Sequence, residues 1–177
     1  KGLKVPSKIK YTADISVACK DKDMIVFAVP SPFVRSTIRD SIDYISKDTI
    51  IVDVAKGIEK DTYFTMSQII SSELKKKKKK FDIVALSGPT HAEEVAIELP
   101  TLIVAASKSE KAAKTTQQVF MNSYFRVYTN NDIKGCEVCG AFKNILALAC
   151  GIAEGVGYGD NTKAAIMTRG MLEMIRL

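Results

Sequence analysis

Short apolar runs alternate with amphipathic stretches of helical length between residues 24 and 128. Met24 to Val29 (MIVFAV), Ile50 to Ala55 (IIVDVA), Ile83 to Leu86 (IVAL), Leu102 to Ala106 (LIVAA) and Phe125 to Tyr128 (FRVY) read as strands. Four of the five are nearly continuous rather than alternating, the pattern of strands covered on both faces. Between them, residues 33–45, 62–78 and 109–121 have the length and polarity of helices. The alternation predicts an α/β fold, an open sheet wound with right-handed crossovers.

After Thr129 the pattern changes. Lys134 to Gly155 is a long apolar helix, followed by a turn rich in glycine (Gly155, Gly157, Gly159) and by Asp160-Asn161-Thr162, good N-caps for a terminal helix. On that helix Ala164, Met167, Met171, Met174 and Ile175 share one face, and Leu177 arrives without a Gly or Pro stop. Lys1 stands where a methionine would open a complete chain. The expectation is a fragment of a longer protein: an α/β part at 1–128 and the start of an all-α part at 129–177.

Composition narrows the class. At 177 residues, 46% hydrophobic and 26% charged, the chain can bury a core, so disorder is excluded. No uninterrupted apolar run approaches the roughly 18 residues of a membrane span. The net charge of +6 comes from 26 Lys and Arg against 20 Asp and Glu, and removing the six lysines Lys75 to Lys80 leaves 20 against 20. So compact a run, without interleaved aromatics, differs from a nucleic-acid-binding face and reads as a solvated, mobile helix end or loop tip. The competing role for it is docking to an acidic surface, membrane or nucleic acid. Cys136-x-x-Cys139 has zinc-like spacing, yet His91 is the single histidine and Cys19 and Cys150 complete no second pair, so no metal site is expected. The thiols read as reduced and packed as small hydrophobes, in a cytoplasmic protein.

In an open α/β sheet ligands bind beyond the carboxyl ends of the strands. Three successive ends carry small, turn-forming or polar residues: Val29-Pro30-Ser31-Pro32-Phe33, Lys56-Gly57 and Ser87-Gly88-Pro89-Thr90. Lys56 is placed to hold a phosphate or polarise a carbonyl, or else is a solvated lysine at a strand end. Lys143 is the only charged residue between Glu137 and Glu154, on a helix apolar nearly all round that is expected to be buried. Its amine then either loses proton affinity by desolvation and serves as an acid/base, or snorkels to water. Asn144 beside it adds an amide, and Gly140 and Ala147 leave room for a ligand.

VAKG at 54–57, SGPTHAEEVA at 87–96 with LPT at 99–101, FRVYTN at 125–130 and GAFKNILALACGIAEGVGYGDNTKAAIMTRG at 140–170 together resemble the NAD(P)-dependent glycerol-3-phosphate dehydrogenase family. The resemblance implies an incomplete Rossmann-like dinucleotide-binding sheet followed by the first helices of a helical substrate domain. It implies interconversion of sn-glycerol 3-phosphate and dihydroxyacetone phosphate with NAD or NADP, in a cytoplasmic homodimer. By the family pattern Lys143 is the catalytic acid/base, and Lys56, Gly88, Thr90 and Asn144 meet the substrate. Phe33, Lys56 and Ala92 meet the cofactor.

The chain contains no G-x-G-x-x-G, so the pyrophosphate cradle belongs upstream of Lys1, and the isolated chain is expected to have little or no activity. Another β-hydroxyacid dehydrogenase is the near alternative, and a non-catalytic module docking acidic partners through Lys75 to Lys80 the distant one.

Overall fold

The computed structural model describes residues 5–176. One five-stranded sheet runs in chain order: β1 (Met24–Phe27), β2 (Ile50–Asp53), β3 (Ile83–Ser87), β4 (Thr101–Ala106) and β5 (Phe125–Asn130). Each strand lies where an apolar run places it. Helices α1 (Ile15–Cys19), α2 (Val34–Ser41), α3 (Met66–Lys76), α4 (Ala92–Ala96) and α5 (Glu110–Phe120) accompany the sheet. Then follow α6 (Ile133–Gly155) and α7 (Asp160–Arg176), which ends before Leu177, outside the described residues.

The sheet is mixed. β1–β2, β2–β3 and β4–β5 pair parallel, but β3–β4 is antiparallel, which corrects the expectation of right-handed crossovers throughout. The physical reason is the connection. Residues 88–100 hold only the five-residue α4, about 7.5 Å of helix, against about 16 Å for the five residues of β3. Such a link does not carry the chain back along the sheet before the next strand, so β4 returns beside β3 in the opposite sense.

α2 and α3 are shorter than the pattern suggests. Residues 31–33 form a 3₁₀ turn before α2. α3 waits for Thr65, whose backbone N–H donates to Gln68 Oε1 at 2.9 Å in a capping box. Asp160-Asn161-Thr162 do not cap α7. They form its first turn, with Thr162 N donating to the Gly159 carbonyl at 3.1 Å.

Period-two alternation divides the core between the sheet faces. Ile51 joins Ile38, Ile42, Ile69 and Ile70 beneath α2 and α3, while Val52 joins Val84, Leu86, Ile103, Ala112 and Val127 beneath α5. β2 and β3 are therefore covered on both faces. β1 and β4 are not: Val26 and Leu102 remain exposed, against expectation. Arg35 of α2 pairs with Glu59 and Glu73, tying α2 to α3, and the guanidinium groups of Arg35 and Arg39 hold those two carboxyls at about 2.

The reversal at β4 sets the start of α6. Ser107, just past β4, donates from its backbone N–H to the Asn130 carbonyl and from Oγ to the Ile83 carbonyl. The end of β5 thus lies at the edge where β3 begins. From there α6 crosses the sheet: Ile133 packs with Ala85 and Ala106, Glu137 accepts hydrogen bonds from Ser67 N (2.7 Å) and Ser67 Oγ (2.5 Å), and Gly140 faces Ser87. The ten steps from Ile133 to Lys143 rise about 15 Å, nearly the length of β3.

Beyond this stripe only Ala153 of α6 is buried among the described residues. Ile145, Leu148 and Ile152 stand exposed, because α6 packs through one side on the sheet and α3 and elsewhere meets only α7. The expectation of burial all round is therefore corrected. By length and composition α6 is apolar enough to cross a membrane, yet its first half rests on β3 and α3. Cys139 is exposed and Cys136 and Cys150 half-buried, so only Cys19 packs as a small hydrophobe as expected. Burial pushes the Cys136 thiol up to about 11. The lysine run starts in the last turn of α3 and is exposed except at the half-buried Lys79, as expected of a solvated helix end. Lys77 Nζ reaches Asp43 Oδ2 at 2.8 Å and Lys79 Nζ the Ile42 carbonyl at 2.6 Å.

Gly88 closes β3 directly against the backbone of β4: a Cβ there would lie 2.9 Å from the Leu102 carbonyl oxygen and 3.0 Å from Ile103 Cα. Backbone atoms in a paired strand have nowhere to retreat. Gly88→Ala is expected to cost about 1–3 kcal/mol, read as a lower Tm; an unchanged Tm would contradict this packing.

Candidate active site

The turns that follow β1, β2 and β3 converge at one edge of the sheet. A Cβ on Gly57 would lie 2.8 Å from Ser31 Oγ, so the first two turns touch. Lys56 Nζ donates to Thr90 Oγ1 at 3.0 Å, joining the second turn to the third. Gly140 of α6 faces Ser87 at the end of β3, which brings Lys143, one turn further on, to the same edge.

The two lysines share a field. Burial first and the neighbouring Lys143 charge second lower the pKa of Lys56 below that of an ordinary lysine. Lys143 itself is half-buried, and its Nζ stands 3.4 Å from Asn144 Oδ1 on an exposed neighbour. Desolvation thus acts on the Lys56 amine, in the turn after β2.

A cavity of about 760 Å³ opens beside Lys143, walled by Ser87, Gly88, Cys139, Gly140, Met171 and Met174. Its size suits a small organic molecule. The structure therefore brings together Lys56, Thr90, Lys143 and Asn144, with Gly88 and Lys143 on the cavity wall. Lys56, Thr90 and Asn144 lie outside that wall, as do Phe33 and Ala92. Phe33 ends the turn after β1 and is 58% exposed, and Ala92 is exposed at the start of α4.

Chemically, two amines from different layers can hold an anionic group or steady negative charge developing on an oxygen, and a lysine can exchange a proton with that oxygen. The turn after β1, which touches the turn of Lys56, has residues suited to a planar cofactor ring. The exposed Phe33 ring offers an apolar surface, and Gly57, at φ +153° and against Ser31, keeps the turn clear of a side chain. Among the described residues no cluster of His, Cys, Asp or Glu is arranged to hold a metal.

Sequence reasoning passed over two buried carboxyls beneath this edge. Asp53 ends β2 at 2% exposure, and its Oδ1 has no hydrogen-bond partner. Burial, then the charge of Glu137, pushes Asp53 up to about 7, against a backbone hydrogen bond from Ala55. An acid inside IIVDVA, and another inside the apolar stretch that contains Lys143, were the available signals.

A Rossmann-like sheet leading into a helical part, with a lysine-lined crevice where they meet, is the class of fold defined here. Residues 1–113 match the family described as NAD-dependent glycerol-3-phosphate dehydrogenase N-terminus, and residues 132–177 its C-terminus. The chain belongs to the NAD-dependent glycerol-3-phosphate dehydrogenase family. It is 54% identical over 178 residues to a glycerol-3-phosphate dehydrogenase [NAD(P)+] of Lactobacillus delbrueckii subsp. bulgaricus, covering 99% of this chain and 53% of that protein. A Bacillus subtilis relative of the same name is 49% identical over 175 residues, covering 99% and 50%. The crystal structure of glycerol-3-phosphate dehydrogenase from Coxiella burnetii superposes with a TM-score of 0.87 at 33% identity, covering 99% of this chain and 52% of that one. The chain spans about half the length of the curated relatives it matches.

Asp53 yields a pH-dependent prediction. A carboxyl raised to about 7 holds its proton in the folded chain while the unfolded chain has released it from about pH 4, so this group's contribution falls as pH climbs through that window. Asp53→Asn is expected to raise Tm at pH 8, with the gain shrinking toward pH 4. An equal gain at both pH values, or a loss at pH 8, would contradict the buried charge.

Proposed function

We propose that this chain is the central portion of an oxidoreductase that interconverts sn-glycerol 3-phosphate and dihydroxyacetone phosphate with NAD or NADP. The observation that carries the reading is the meeting of Lys56, from the sheet, with Lys143, from the helix that follows it, at the edge formed by Gly88 and Thr90. The names of the relatives support the substrate and cofactor classes.

The bound nicotinamide supplies the hydride acceptor for alcohol oxidation and the donor for ketone reduction. In oxidation Lys143 Nζ takes the proton of the C2 hydroxyl; in reduction its ammonium returns a proton to the C2 oxygen. Lys56, held by Thr90 Oγ1, sets positive charge beside that oxygen, where burial strengthens its effect. Gly88 leaves the substrate room on the turn after β3, and the Asn144 amide orients a hydroxyl. Phe33 and Ala92, on the outer turns, join Lys56 in holding the cofactor. The sequence lacks G-x-G-x-x-G, so no pyrophosphate ligand is assigned to these residues. Free thiols support the cytoplasmic location in this reading, and the exposed apolar residues of α6 and α7 support a homodimer.

Full-length protein given dihydroxyacetone phosphate and NADH or NADPH is expected to consume the reduced cofactor. Lys143→Met should lower kcat by roughly 10²–10⁴-fold, with Tm and circular dichroism retained. Undiminished turnover in that variant would reject the role assigned to Lys143.

A further inference from the structure

We propose a second ligand site at the opposite edge of the sheet, for a small amphiphile carrying a phosphate monoester on an apolar tail. It stands independently of the dehydrogenase reading. A cavity of about 690 Å³ lies between the last turn of α3, the start of β3, the segment after β4 and the first turn of α6. Four lysines of the run border it, Lys75, Lys78, Lys79 and Lys80, and they are joined by Lys108 and Lys134 from elements remote in sequence. Four of the six lysines that make up the basic excess of the chain therefore stand around one hollow, with two more from elsewhere.

Little of that charge is compensated. Lys79 has the Ile42 carbonyl and, at 3.9 Å, Asp43. Among the described residues Lys75, Lys78, Lys80, Lys108 and Lys134 make no side-chain hydrogen bond or ion pair with their amines. The one carboxylate on the wall, Asp82, already accepts from Ser109 Oγ at 2.9 Å. Stabilisation of the carboxyl end of α3 accounts for lysines in its last turn, Lys75 and Lys76, but not for Lys80, Lys108 or Lys134. The backbone also turns the run inward. Lys78 takes a left-handed φ of 54°, and Lys79 N donates to the Leu74 carbonyl at 3.0 Å, folding the run over the helix end beside the cavity.

The floor is of opposite character. Leu74 and Ile133 are buried, and Phe81 and Ile83 half-buried, so an apolar bed lies under a cationic rim. A bare anion would satisfy the rim and leave the bed wet; a neutral hydrocarbon would do the reverse. A phosphate monoester with a tail satisfies both, its dianionic head among several ammonium groups and its chain on the bed.

The probe is dodecyl phosphate below its micelle concentration. The chain contains no tryptophan, so Phe81→Trp reports this cavity alone by fluorescence, while calorimetry on the unaltered 177-residue chain needs no substitution. We expect saturable one-to-one binding that weakens with added salt. In Lys78→Gln, Lys80→Gln, Lys108→Gln combined, with circular dichroism unchanged, binding should weaken roughly tenfold. Equal affinity for inorganic phosphate would overturn the amphiphile, and equal affinity for dodecanol the anionic head. Binding only to phosphatidate vesicles, with none to the monomer, would make the lysines a membrane contact and overturn the cavity site. Undiminished binding in the triple variant would move the ligand to the exposed faces of α6 and α7 and end the proposal.

Discussion

The seat of α6 on β3 is the contact on which the site depends. Neither Lys56 nor Lys143 makes a crevice alone; the first stands in the turn after a strand, and the second on a helix that begins at the far edge of the sheet. They meet because Ile133, Glu137 and Gly140 anchor that helix along β3 for about the length of the strand. Glu137 ties the helix to α3 as well, since its buried carboxyl takes two hydrogen bonds from Ser67, whose buried donors lose their partner if α6 lifts away.

That arrangement carries an electrostatic cost on both sides of the sheet edge. Above it two lysines stand close enough that one depresses the proton affinity of the other; below it Asp53 and Glu137 share a buried region with one carboxyl oxygen unpartnered. Such conflicts concentrate at sites where function, rather than stability, selects the side chains. The hydrophobic packing beneath α2, α3 and α5 supplies the offset, with Ile38, Ile42, Ile51 and Val84 wholly out of water.

Much of this was readable along the chain. Apolar runs located all five strands, and small or polar residues after β1, β2 and β3 pointed to the edge where the turns converge. A lone charge in an oily helix singled out Lys143. The direction of β4 was not readable in the same way, since hydrophobicity records burial and not strand sense; the shortness of α4 decides it. The exposure of α6 also escaped, because an apolar helix looks alike whether its own domain or another surface covers it. Asp53 and Glu137 were visible as acids in apolar surroundings, but their proximity arises from the packing of α6 against β3 and α3, which brings together charges 84 positions apart. The mixed origin of the basic cavity has the same cause: Lys108 and Lys134 reach the lysine run only through the fold.

The meeting of the two lysines is most directly tested by following the titration of Lys56, through its acylation rate against pH with site-resolved mass spectrometry, in the unaltered chain and in Lys143→Met. Lys56 should become reactive below the pH range of the exposed lysines, and its profile should move to higher pH when the Lys143 charge is removed. A Lys56 profile like that of the exposed lysines, or one indifferent to Lys143, would contradict the shared crevice.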